Sequence, residues 1–108
     1  MATSIIKYTS PSIPFTLDID LTDAQILATF KQEENVVVTK RASNVSIQNG
    51  KTSFSIKLEQ AETAKFDESK QVEIQVNWIY INDNRGASEP KLFPVLKNLL
   101  DEVIDYGY

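Results

Sequence analysis

The run Val72-Glu73-Ile74-Gln75-Val76-Asn77-Trp78 alternates apolar and polar residues without a break. A period of two puts Val72, Ile74, Val76 and Trp78 on one face of an extended chain and Glu73, Gln75 and Asn77 on the other, which is a strand with one buried and one wetted side. The same alternation sets Phe15, Leu17, Ile19 and Leu21 against Thr16, Asp18 and Asp20, and predicts a strand over 15–21 whose carboxylates face water. Pro11 and Pro14 mark its ragged start, and Ile5 to Tyr8 suits a short edge strand before it.

Turn chemistry orders the remaining runs. Asn49-Gly50 stands between Val45, Ile47 and Phe54, Ile56, Leu58, and both residues accept the positive φ of a type I′ hairpin. Residues 25–31 and 36–40 flank Gln32-Glu33-Glu34-Asn35, which predicts a four-residue loop, with Ile26, Ala28 and Phe30 facing the core. Good helix formers from Glu59 to Lys65 predict one helical turn, anchored by Phe66. The strand from Val72 to Ile81 ends at Asn82-Asp83-Asn84-Arg85-Gly86, and the chain returns through Ala87 to Phe93. Beyond Pro94, Leu96, Leu99, Leu100 and Val103 recur at helical spacing, so a short amphipathic C-terminal helix is expected, covering the outward Ile79 and Ile81. Seven or eight short strands at hairpin spacing describe an all-β, two-sheet sandwich filling one domain, residues 1–108.

Composition narrows the chemistry. With neither cysteine nor histidine, the chain has no thiolate and lacks the commonest general base and transition-metal ligand. A net charge of −4 repels a phosphate backbone, so nucleic acid is not an expected partner. Apolar runs such as Val36-Val37-Val38 are far short of the ~20 residues that span a bilayer, and no secretory leader pattern opens the chain. A soluble protein that needs no membrane is expected.

Candidate sites reduce mostly to structure. Asp18, Asp20 and Asp23 lack the central Gly and distal Glu of a calcium loop. Glu33-Glu34 and Asp67-Glu68 lie in polar loops without the apolar shielding that tunes a catalytic carboxyl, so neither enzymatic activity nor a cofactor or metal is expected. Trp78, Tyr80, Phe93, Tyr106 and Tyr108 suggest a sugar-stacking platform, yet Trp78 shares parity with the core-facing residues of its strand and belongs between the sheets. Arg85, at a loop tip, can clamp a carboxylate or phosphate. Ile79 and Ile81 leave both faces of the strand end apolar. Ile79, Ile81, Arg85 and Leu100 are therefore the candidate protein-docking residues.

Four segments, Thr29-Phe30-Lys31-Gln32, Leu58 through Phe66, Val72 through Trp78 and Arg85-Gly86-Ala87-Ser88, together resemble small tail-module proteins of phages and prophages of Gram-positive bacteria. That group is similar to the N-terminal domain of phage baseplate upper proteins, and the resemblance runs from Tyr8 to Ile104. It implies an immunoglobulin-like sandwich serving as a non-enzymatic virion component of the tail or baseplate, made in the host cytoplasm. Its implied partners are other phage structural proteins or further copies of itself. The sequence shows no coiled-coil stalk and no receptor-binding module, so host recognition is not carried over. The alternative is a carbohydrate-binding or adhesin-like sandwich, which uses the same architecture with different loops.

Overall fold

A computed structural model describes residues 4–106. The strands are β1 (Ile5–Ile6), β2 (Ser12–Leu17), β3 (Gln25–Gln32), β4 (Asn35–Arg41), β5 (Ser43–Gln48), β6 (Lys51–Lys57), β7 (Val72–Ile79), β8 (Arg85–Ala87), β9 (Lys91–Phe93) and β10 (Val95–Leu96); one helical turn, α1 (Gln60–Thr63), joins β6 to β7. One sheet runs β2-β6-β5 and the other β4-β3-β7-β8, with β9 also pairing with β7; β1 and β10 form a parallel pair beside them. This order is that of an immunoglobulin-like sandwich. The described strands number ten, more than the seven or eight expected, because the last return path is cut at Pro90 and Pro94, which cannot donate to a ladder.

Alternation decides what is inside. Ile13 and Phe15 of β2 and Phe54 and Ile56 of β6 meet Ile26, Ala28 and Phe30 of β3 and Val72, Ile74 and Val76 of β7 in one core. Phe15 and Phe54 are cross-strand partners with stacked rings 5.5 Å apart. Phe66, following α1, lies 6.1 Å from the Phe30 ring and anchors the turn as its position predicts. Ile5 and Val95, register partners in the parallel pair, close the open side.

Three buried polar side chains fasten loops to this core, each by mimicking a strand's backbone. Thr52 Oγ1 donates to the Ile19 carbonyl at 2.8 Å and accepts the Leu21 amide at 3.0 Å. Thr63 Oγ1 donates to the Thr9 carbonyl at 2.7 Å and accepts the Thr9 amide at 3.0 Å. Gln32 accepts the Asp67 amide at 2.7 Å and donates to the Asp67 and Lys70 carbonyls at 2.9 and 3.1 Å. In each case the buried side chain satisfies its own polar atoms on backbone groups of the loop it holds.

The turns divide into agreement and correction. Asn49 and Gly50 take φ of 53° and 74°, as a type I′ hairpin demands. The β3–β4 loop is two residues, not four: Gln32 pairs with Asn35, and Glu33 adopts φ 56°. The strand expected over 15–21 stops at Leu17, since Thr52 draws residues 19–21 into a loop that buries Leu21 and leaves Ile19 exposed.

The expected C-terminal helix does not form. Leu96 is a strand residue paired with Ile6, and residues 97–106 continue as a non-helical strap. Two influences prevail over the helical spacing. Pro94 sits where β9 gives way to a free backbone edge at Ile5 and Ile6, and a helix of two turns has little intrinsic stability of its own. The strap is instead tied down residue by residue: Asn98 Nδ2 donates to the Lys7 carbonyl at 3.0 Å, and the Gln60 amide brackets Ile104, accepting its N–H at 2.8 Å and donating to its carbonyl at 2.7 Å.

Candidate docking surfaces

Two surfaces with outward apolar side chains sit at opposite ends of β7, while Ile19, Val36, Val45 and Leu92 are exposed singly outside them. The Val72 end pairs with Phe93, from which the chain passes through β10 into the strap; the Ile79 end pairs with Arg85. Those ends are about 23 Å apart along the strand. Leu100 therefore belongs with the strap, away from Ile79, Ile81 and Arg85, and the strap does not cover the two isoleucines as the sequence suggested.

At the Ile79 end, Gln25, Ile79 and Arg85 are successive register partners across β3, β7 and β8, and Leu27 pairs with Asn77 one step along. Partners share a face, so these five side chains point away from the core. With Trp78 they line a hollow of about 250 Å³. Leu27 and Ile79 form its apolar sides. Arg85 Nη2 donates to Asn77 Oδ1 at 3.1 Å, which fixes both side chains over it. Ile81 stands outside in the following turn, 95% exposed. Of the candidate docking residues, the structure thus unites Ile79 and Arg85 and separates Ile81 and Leu100 from them.

Gln25, Leu27 and Asn77 are the members of this hollow that strand patterning did not single out. A signal existed in Leu27, an apolar residue on the wetted face of β3, where Gln25 and Thr29 are its face neighbours. Trp78 has inward parity opposite Ile26 and packs against the core, but it is only partly buried. Its indole lies over Gly86, so it offers no open stacking face on that side.

At the other end, Ile6 and Leu96 are outward register partners, 42% and 46% exposed, and Leu99, Leu100, Val103 and Ile104 extend the apolar line along the strap. Tyr8 turns at φ 62° beside it. The neighbouring Asp101 carboxylate, with partial desolvation, pushes the Tyr8 phenol above its ordinary value. The remaining aromatic candidates give no shared platform: Tyr80 donates its hydroxyl to the Asp20 carbonyl at 3.0 Å, Phe93 packs on the core, and Tyr106 is fully exposed. Tyr108 lies outside the described residues.

The carboxyl groups that shift do so away from acid catalysis. The Thr22 hydroxyl and amide hold Asp20 below the usual range, and the Ser69 hydroxyl and amide, helped by Lys70, do the same for Asp67. Burial pushes Glu62 up, but the Glu59 amide and the Lys40 ammonium outweigh it and leave the group lowered. A general acid at neutral pH needs the opposite displacement. Among the described residues no group of three or more Asp or Glu side chains gathers in metal-binding geometry, and no helix is long and apolar enough to cross a membrane.

The fold is that of a small immunoglobulin-like β-sandwich. No family model matches the chain, and no curated protein does. Among solved structures it is similar to the cycloalternan-forming enzyme of Listeria monocytogenes in complex with a pentasaccharide substrate, with a TM-score of 0.60 at 11% identity. An uncharacterized Listeria monocytogenes protein, solved with glucose, magnesium and calcium, matches equally. Each match covers 85% of this chain but only 8% of the other. The likeness is one of fold.

Proposed function

We propose that this sandwich is a non-catalytic building block of a phage or prophage tail or baseplate, acting by docking on neighbouring structural proteins. The observation that carries the docking is the strap. Leu99, Leu100, Val103 and Ile104 stay exposed on a segment that hydrogen bonds from Gln60 and Asn98 hold in place, and Ile6 and Leu96 of the adjoining strand pair are exposed as well. Contiguous exposed apolar side chains rimmed by polar ones mark surfaces that partners cover. The tail or baseplate assignment rests on the sequence resemblance. Immunogold labelling of particles induced from the source strain tests it: label at the tail supports the reading, and bare particles under an antiserum that detects the purified chain refute it.

A second reading, an accessory sandwich in a carbohydrate-active assembly, is favoured by the fold shared with the Listeria enzyme. A glycan array separates the two, since only this reading expects binding to oligosaccharides.

A further inference from the structure

The hollow on β3, β7 and β8 lies at the end of the molecule opposite the strap, and it has a chemistry of its own. Among the described residues the ion pairs are Lys40 with Glu62, and Lys70 with Glu33 and Asp67. Arg85 is in none of them, and no carboxylate lines the hollow, although acidic residues outnumber basic ones by fifteen to eleven in the whole chain. Its guanidinium is nonetheless held, because Nη2 donates to Asn77 Oδ1. That bond takes one lone pair of Asn77 Oδ1 and leaves the amide NH₂ as a donor. Gln25 adds a second amide at the rim, and Leu27 and Ile79 supply aliphatic walls.

A guanidinium without a carboxylate partner, with amide donors beside it and an apolar cleft, suits a carboxylate carried on an aliphatic body. We infer that the hollow is a binding site for a segment of a partner protein that presents a carboxylate next to an aliphatic side chain. The carboxylate takes the free edge of Arg85 and the Asn77 amide, and the aliphatic group lies between Leu27 and Ile79. A neutral sugar offers no counter-charge to Arg85, so a glycan is the less suited occupant. With the strap at the far end, the molecule has two separate contact surfaces, as a block joining two neighbours requires.

The test is amide chemical-shift mapping on the full chain. Its probes are N-acetyl-leucine, which mimics a chain terminus, acetyl-Leu-Asp-amide, which mimics an internal acidic side chain, N-acetyl-leucinamide and methyl glucoside. Saturable shifts centred on Leu27, Asn77, Ile79 and Arg85 are expected with one or both acids, and which acid binds tells a terminal from a side-chain carboxylate. Arg85→Met should weaken that binding at least about tenfold while leaving resonances remote from the hollow in place. No response to either acid, equal response to the leucinamide, response to the glucoside alone, or undiminished binding in Arg85→Met overturns the inference. Because strap and hollow are separate, none of these outcomes bears on the immunogold result.

Discussion

Gly86 lies beneath the Trp78 indole so closely that a Cβ built on the glycine would stand 2.5 to 2.7 Å from three indole atoms. The two residues are register partners on β7 and β8, so neither can withdraw without breaking the ladder that forms the hollow. Real Cβ atoms do not approach that near, and Gly86→Ala must displace the indole or part the strands. A loss of about 1–3 kcal/mol is expected, as for other overpacked sites. Trp78 is the chain's one tryptophan, so its fluorescence should report the displaced ring in the folded state and the lowered urea midpoint in the same titration.

Thr52 has no exposed surface, and its hydroxyl is the partner of both the Leu21 amide and the Ile19 carbonyl. Thr52→Val keeps the shape and removes both bonds, leaving two backbone groups short of a partner near the core. Such groups cost about 1–3 kcal/mol when unpaired. Amide exchange at Leu21 should accelerate more than at Ala28 or Val76, because the loop loosens before the sheets do; uniform acceleration would mean that the loop is part of the global unfolding unit.

How much of this was readable beforehand depends on the range of the interaction. The β7 alternation and the Asn49-Gly50 turn are local, and the structure reproduces both. Leu21 shows the limit. Its parity with Phe15 and Leu17 extends the strand pattern, yet its burial comes from Thr52, thirty-one residues away. Leu96 to Val103 shows it again, because helical spacing describes the segment's own preference and the Ile5–Ile6 edge and the Gln60 amide offer it better partners. The hollow was half legible: Ile79 and Arg85 stood out singly, but their pairing with Gln25, and through Asn77 with Leu27, is a fact of register.

Acid sensitivity follows from the lowered carboxyls. Asp20, Glu62 and Asp67 have folded-state pKa values below their unfolded ones, so their contribution to stability is complete above the ordinary carboxylate range, near 4, and is lost as pH falls through the depressed values. With no histidine to titrate, the melting temperature should stay nearly level from pH 6 to 8 and drop below about pH 4. Lys40→Met removes the ammonium 3.0 Å from Glu62, and should cost about 0.5–1 kcal/mol at pH 7. The gap between variant and parent should narrow as pH falls and Glu62 takes up its proton. A gap that widens in acid would show that Lys40 acts through packing of its stem.

Gln60 holds the strap as one strand holds another, by giving and taking a hydrogen bond at the single residue Ile104. Its backbone belongs to α1, whose other ties, Thr63 to Thr9 and Glu62 to Lys40, use neighbouring side chains and survive its replacement. Gln60→Ala should therefore leave the sandwich folded and free only the strap. The expected signature is faster amide exchange at Ile104 and Leu100, with the protection of Phe30 and Ile74 unchanged. If the strap's apolar line is the docking surface, the variant should also bind its neighbours less tightly, since it must order the strap on contact instead of presenting it already held. Comparing it with Leu99→Asp, which leaves the clasp intact but places a charge at a fully exposed point of the line, divides the effect into ordering and contact. Equal weakening by both assigns roles to the strap's shape and to its apolar surface alike; loss with Leu99→Asp alone shows that the strap orders itself on its partner.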